Sequence, residues 1–119
     1  MNHESIGRAG EFLVAHHLEM AGLRTVHADV VGQDLWVRTV SNRMVTVQVK
    51  STAKAIEQDG RFYYTFYNGT HIWRADVYAF VAIDVGLVIF EPTMLKRRKI
   101  QHDQFTRERM QSSIAQFFY

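Results

Sequence analysis

Gly32-Gln33-Asp34-Leu35-Trp36-Val37, answered by Val45-Thr46-Val47-Gln48-Val49-Lys50-Ser51, is the pair of runs on which the rest of the chain depends. Both runs alternate apolar and polar residues, the period of a half-buried strand. Leu35, Val37 and Thr39 share one face of the first, and Val45, Val47 and Val49 one face of the second. Asp34, Gln48 and Lys50 then lie on the opposite faces. Opposed residues of an antiparallel pair point the same way, so matching the apolar faces fixes the parity of the pairing. A two-residue turn of Ser41 and Asn42 would set Asp34 against Val49, on the wrong face. A three-residue loop of Ser41, Asn42 and Arg43 pairs Val40 with Met44, Val37 with Val47, Leu35 with Val49, Trp36 with Gln48 and Asp34 with Lys50. The sequence therefore predicts the three-residue loop, with Asn42 at a left-handed position. A bulge beside Asp34 would shift this register.

A carboxylate oxygen and an amide oxygen are hard ligands suited to Mg²⁺. A lysine beside them can stabilise developing negative charge on a phosphate or position a water. Polar residues on the exposed face of a two-stranded ribbon also need no function, and spacing alone leaves both readings open.

Asp34 followed by Gln48-Val49-Lys50, with Gly7-Arg8-Ala9-Gly10-Glu11 upstream, resembles the core of the PD-(D/E)XK nuclease superfamily. The order helix, strand, strand with acid, strand with x-x-K is matched over about residues 5 to 52. The Gly-x-x-Gly-Glu start is similar to that of archaeal Holliday-junction resolvases. The chain departs from the pattern at Gln33, where proline is common, and at Gln48, where Asp or Glu is expected. Glutamine keeps a carbonyl oxygen as a ligand and loses a charge; some members, intron-encoded homing endonucleases among them, resemble this chain in carrying it.

The resemblance implies an α/β fold: a mixed β-sheet flanked by helices with a restriction-endonuclease-like core, as a single domain over residues 1–119. It implies a metal-dependent DNA endonuclease, of homing-endonuclease or junction-resolvase type, using Mg²⁺ with Mn²⁺ as a substitute. Asp34, the Gln48 oxygen, the Val49 carbonyl and Glu11 would hold the metal. Glu11, Asp34, Gln48 and Lys50 would form the catalytic set. Arg8, Ser51, Thr52, Lys54, Lys96, Arg97, Arg98 and Lys99 would contact DNA. A small single-site subunit that cuts both strands needs a second copy, so a homodimer or larger symmetric assembly is expected. The rival readings are a nuclease fold that binds DNA without cutting it, and a scaffold or inhibitor subunit that binds protein.

With 119 residues and 47% hydrophobic content, the chain suits one compact domain with an ordinary core. Cysteine is absent, which excludes a disulfide framework and a thiolate metal site. No apolar run reaches membrane-spanning length, and the start lacks the pattern of a secretory signal, so cytoplasmic residence is the expectation. A net charge of +2 leans only mildly toward polyanions, so local clusters matter more.

Residues 6–22 predict the first helix, with Ser5 as N-cap, Gly22 as its stop and a buried stripe of Ala9, Phe12, Leu13, His16 and Met20. Glu11 sits at the border of that stripe, where it can lean toward the metal or simply favour the helix start. Adjacent His16 and His17 make a poor metal pair, and the remaining histidines receive no role. A first strand is expected over 23–29. Ser51-Thr52-Ala53-Lys54 offers hydroxyls and a lysine to phosphate, or is an ordinary loop. Asp59-Gly60 marks a turn before a strand over 61–67, whose aromatics pack in the core or stack on bases. Asn68-Gly69 marks another turn, residues 71–76 are irregular or a short helical turn, and Trp73 is expected in the core. The apolar run 77–83 predicts a central strand covered on both faces, with 87–90 beside it. Pro92 ends that strand and Thr93 opens a short helix. Lys96-Arg97-Arg98-Lys99 is either part of a phosphate-binding surface or a solvated face. A final helix over 103–118 carries a stripe of Met110, Ile114, Phe117 and Phe118, for the domain itself or for a second subunit.

Overall fold

The computed structural model describes residues 2–68 and 74–119. The expected turn at Asn68-Gly69, the character of residues 71–73 and the burial of Trp73 lie outside the described residues.

Helix α1 (His3–Met20) starts earlier than expected, because the Asn2 side chain, not Ser5, caps it by accepting the Ser5 N–H at 2.9 Å. Gly22, at φ 87°, stops it as expected. Its buried line is Gly10, Val14 and Leu18, so the predicted stripe is rotated around the helix. Phe12 and Met20 are 56% and 76% exposed. The cause is a close approach at Gly10: a Cβ there would lie 1.7 Å from Ser51 Oγ. Only glycine lets the helix sit down on that strand, and this contact fixes the helix rotation.

Strands β1 (Arg24–Val30), β2 (Gln33–Arg38) and β3 (Met44–Thr52) form an antiparallel meander. The β2–β3 loop does have three residues, and Asn42 is left-handed at φ 65°. The loop is Val40-Ser41-Asn42, however, one position earlier than expected. Thr39 closes it by donating its N–H to the Arg43 carbonyl at 2.8 Å and accepting the Arg43 N–H on its hydroxyl at 3.0 Å. Val37 therefore pairs with Val45 and Leu35 with Val47. The slip is two residues, an even number, so every side chain keeps its expected face.

β6 (Val77–Ala82) adds to β3 in parallel and β7 (Leu87–Glu91) to β6 antiparallel, giving the order β1-β2-β3-β6-β7. Every residue of β6 is buried, as the apolar run predicted. A second, antiparallel sheet of β4 (Ile56–Gln58), β5 (Arg61–Tyr67) and β8 (Arg97–Gln101) covers one face of the first. Asp59 and Gly60, at φ 52° and 80°, make the expected turn between β4 and β5. The helix expected from Thr93 is absent, and the basic run enters β8 instead. Helix α2 (Arg107–Phe118) begins later than expected, capped by the Thr106 hydroxyl, after a short 3₁₀ turn at His102–Gln104.

Two cores result. Val14 and Leu18 of α1 and Met110, Ile114 and Phe118 of α2 pack on one face of the large sheet, against Leu35, Val37, Val47, Ala79 and Val81. Tyr64, Phe66, Ile100 and Phe105 pack on the other, against Phe80 and Ile89. The architecture is thus α/β with a mixed sheet, helices on one face and a small sheet on the other. The apolar end of α2 is spent on the domain itself. Among the described residues no helix is long and apolar enough to cross a membrane.

Candidate active site

β1 and β2 hold one β-bulge, and it lies opposite Asp34. His27 pairs with Leu35 and Val30 with Gln33, so Ala28 and Asp29 together oppose Asp34. Gly32 turns the chain there at φ 80°. On the other side, the β2–β3 ladder ends at the pair Leu35–Val47. Asp34 Oδ2 then accepts the Val49 N–H at 2.7 Å. A side-chain carboxylate thus takes a backbone donor beyond the end of the ladder, and the bulge frees Asp34 to do so.

This position is partly buried, and burial is the main reason the Asp34 carboxyl is pushed above its ordinary range. The Val49 N–H and the charges of Lys50 and His27 pull the other way without cancelling the shift. Lys50, on the same face of β3 as Gln48, is pushed below the usual lysine range by burial, against the attraction of Asp34. Glu11 is raised by burial first and by the Asp34 charge second. Glu11 on α1 and Lys50 on β3 thus each lie within reach of the Asp34 charge on β2.

Gln48 Oε1 is buried and has no hydrogen-bond partner. A buried acceptor without a donor costs about 1–3 kcal/mol, so it needs a reason. A hard cation is one such reason. Asp34, Gln48 Oε1 and the Val49 carbonyl are oxygen donors of the kind Mg²⁺ takes, and Glu11 can join them directly or through water. No group of three or more His, Cys, Asp or Glu side chains suited to a metal occurs among the described residues. A metal here would have Asp34 and Glu11 as its carboxylates, with amide, backbone, water or phosphate oxygens filling the remaining positions.

Of the expected phosphate contacts, Arg8 and Lys54 are exposed, and Arg8 lines a cleft of about 290 Å³ with Glu11, Phe12 and His27. Ser51 and Thr52 do not fit the expectation, because both belong to β3 rather than a loop. Ser51 Oγ is buried at the approach of Gly10, and the Thr52 hydroxyl donates to the Thr65 carbonyl at 2.6 Å. Arg98 does not fit either. It makes a two-pronged bond to Glu91, at 2.8 and 2.9 Å, which also raises its pKa. Lys96, Arg97 and Lys99 lack any carboxylate partner among the described residues.

His27 received no role from the sequence. Its Nδ1 lies 3.8 Å from Glu11 Oε1, and its ring meets Phe12 edge-to-face at 5.2 Å. Its place on β1, immediately before the bulged pair, is visible only once the β1–β2 register is known.

The fold is similar to that of a bacterial homing endonuclease. The structure of that enzyme, I-Ssp6803I, matches 90% of this chain and 84% of its own with a TM-score of 0.66 and 17% sequence identity. No protein-family model matches the chain, and no curated protein matches it in sequence. At this identity the likeness carries the fold, and the roles of residues rest on the site itself.

Proposed function

We propose that this chain is a metal-dependent DNA endonuclease that hydrolyses phosphodiester bonds, with a PD-(D/E)XK-type site in which Gln48 stands for the second acid. The observation that carries this reading is the orphaned Gln48 oxygen one residue before Val49, whose N–H holds Asp34. The likeness in fold to a homing endonuclease supports it.

Asp34, Gln48 Oε1, the Val49 carbonyl and Glu11 would hold Mg²⁺, or Mn²⁺ in its place. The ion would supply Lewis-acid stabilisation of the charge that builds on the phosphate. Asp34 is fixed in orientation by the Val49 N–H. Lys50, kept close to Asp34 and depressed by burial, either orients the attacking water or stabilises the pentavalent phosphate. Cutting both strands with one such site per chain calls for a homodimer or larger symmetric assembly.

The second reading is a DNA-binding module that no longer cuts. Gln48 in place of an acid, and the lack of a three-residue acid or histidine cluster among the described residues, favour it. The test is cleavage of plasmid and of a four-way junction with Mg²⁺ or Mn²⁺, beside Asp34→Ala and Lys50→Ala. Metal-dependent cutting lost in both variants is the expected result. Cutting that persists in Asp34→Ala would overturn the site, and salt-sensitive binding without cutting of either substrate would favour the module.

A further inference from the structure

Strand alternation divides the cations of β8 between two environments. Arg98 shares the inner face with Ile100, which is buried in the second core, and is neutralised by Glu91. Arg97 and Lys99 point to the outer face of the small sheet, away from the large one. There the register sets Arg97 beside Tyr67 and Lys99 beside Thr65 on β5, and Gln58 of β4 beside Arg61. The outer face thus carries Gln58, Arg61, Tyr63, Tyr67, Arg97 and Lys99, with Asp59 as the one acid in the adjoining turn. Lys99 Nζ bonds the neutral Gln58 amide and lies 4.6 Å from the centre of the Tyr63 ring. Its charge is oriented outward and is not cancelled. Arg61 and Arg97 have no carboxylate partner among the described residues.

A three-stranded face with uncancelled cations suits a polyanion. Two features favour duplex DNA over single strands. The Tyr63 ring is already covered by Lys99, which leaves Tyr67, 66% exposed, as one open ring on that face, whereas a single-strand platform stacks successive bases on several. The projecting groups are long donors and an amide, the types that reach base edges in the major groove, which admits β-structure.

We propose that the outer face of the β4-β5-β8 sheet docks in the major groove of duplex DNA and sets which sequence the chain engages. The choice of DNA rests on the nuclease reading; the surface rests on the register and the charges. Arg97 and Lys99 hold phosphates, while Arg61 and Gln58, at the β4–β5 end, reach base edges.

The test uses the full chain in metal-free buffer, so that binding is measured without cutting. A labelled random-sequence duplex is titrated by fluorescence anisotropy over a range of salt, with circular dichroism confirming that each variant folds. Arg61→Gln/Arg97→Gln/Lys99→Gln is expected to weaken binding at least about tenfold and to lower the salt slope by about 2, one for each of the phosphate-holding charges of Arg97 and Lys99. Arg61→Lys/Arg97→Lys should keep the slope yet enrich different sequences from a random duplex pool. Unchanged affinity and slope in the triple variant overturns this surface while leaving the nuclease reading intact. Tighter binding of single-stranded RNA or DNA than of duplex, lost in the triple variant, overturns the duplex assignment. No salt-dependent duplex binding by the wild type overturns both the surface and the DNA reading.

Discussion

The Asp34 carboxylate accepts the Val49 N–H at 2.7 Å, at the point where the β2–β3 ladder has already ended at Leu35–Val47. Asparagine in its place keeps an oxygen for that N–H and removes a charge that burial disfavours, even with the attraction of Lys50 included. Asp34→Asn is therefore expected to melt at or above the wild-type temperature in chelator while losing metal-dependent cleavage by about 100-fold or more, since even outer-shell partners of a metal are worth 10–100-fold. Melting curves and single-turnover cleavage on one preparation check both halves. A variant that cuts at the wild-type rate, or that melts well below it, contradicts the account.

Gln48 presents a buried oxygen with nothing to accept from. Gln48→Glu adds a charge to that oxygen set, beside the already raised Asp34. Without metal this should lower stability; with Mg²⁺ it should raise affinity, because a charged ligand replaces a dipole. Gln48→Met removes the unpaired acceptor and should stabilise the metal-free chain by about 1 kcal/mol while abolishing Mg²⁺ binding. Calorimetric Mg²⁺ titration beside melting decides this. Equal Mg²⁺ affinity in all three proteins would remove Gln48 from the site.

Gly10 and Ser51 form the seat of α1 on β3. Alanine normally stabilises a helix interior by roughly 0.5–1 kcal/mol over glycine. Here its Cβ would meet Ser51 Oγ at 1.7 Å and Ser51 Cβ at 2.9 Å. The clash decides the sign: Gly10→Ala should destabilise by about 1–3 kcal/mol, as overpacking does. It should also shift Glu11, the next residue, and so weaken cleavage. Ser51→Gly removes both clashing atoms, so the double variant should recover most of the loss. Additive effects in that cycle would mean that the seat lies elsewhere.

The same seat explains what the sequence disclosed and what it hid. Strand periodicity placed Asp34, Gln48 and Lys50 on one side, and a register error of two residues left that unchanged because the strand period is two. Helix α1 had no such protection. A helix with alanines, a phenylalanine and histidines around it offers several apolar faces, and glycine, which carries no hydrophobic signal, marked the true one. The basic run concealed its own division for a different reason. Four adjacent cations look like one patch until a strand separates them, and then Arg98 finds Glu91 across the fold. His27 stayed hidden because its neighbour Glu11 belongs to another element.

Arg98 bonds Glu91 with both prongs, and Arg109 approaches the same carboxylate at 3.9 Å. The arginine side chain is 33% exposed, so solvent screening discounts the pair. Arg98→Ala should cost about 1 kcal/mol in chemical denaturation and leave the salt slope of DNA binding unchanged. A variant with full stability and a reduced slope would return Arg98 to the DNA-contacting set.

The carboxyls of Glu11 and Asp34 are both raised, by burial before any other cause. A group that binds its proton more tightly when folded makes stability fall as pH rises from its unfolded value through its folded one. The two acids should therefore oppose folding across a window that starts near 3.8 and 4.5, their ordinary values, and runs upward. Wild type minus Glu11→Gln/Asp34→Asn, followed by denaturation in chelator, isolates that slope from the other titrating groups. Metal competes with the same protons, because a carboxylate must ionise to become a ligand. The acid limb of the cleavage profile should then lie above those ordinary values at low Mg²⁺ and move to lower pH as Mg²⁺ rises. A limb that does not respond to Mg²⁺, together with a flat stability difference, would show that these carboxyls neither carry the strain of burial nor hold the ion.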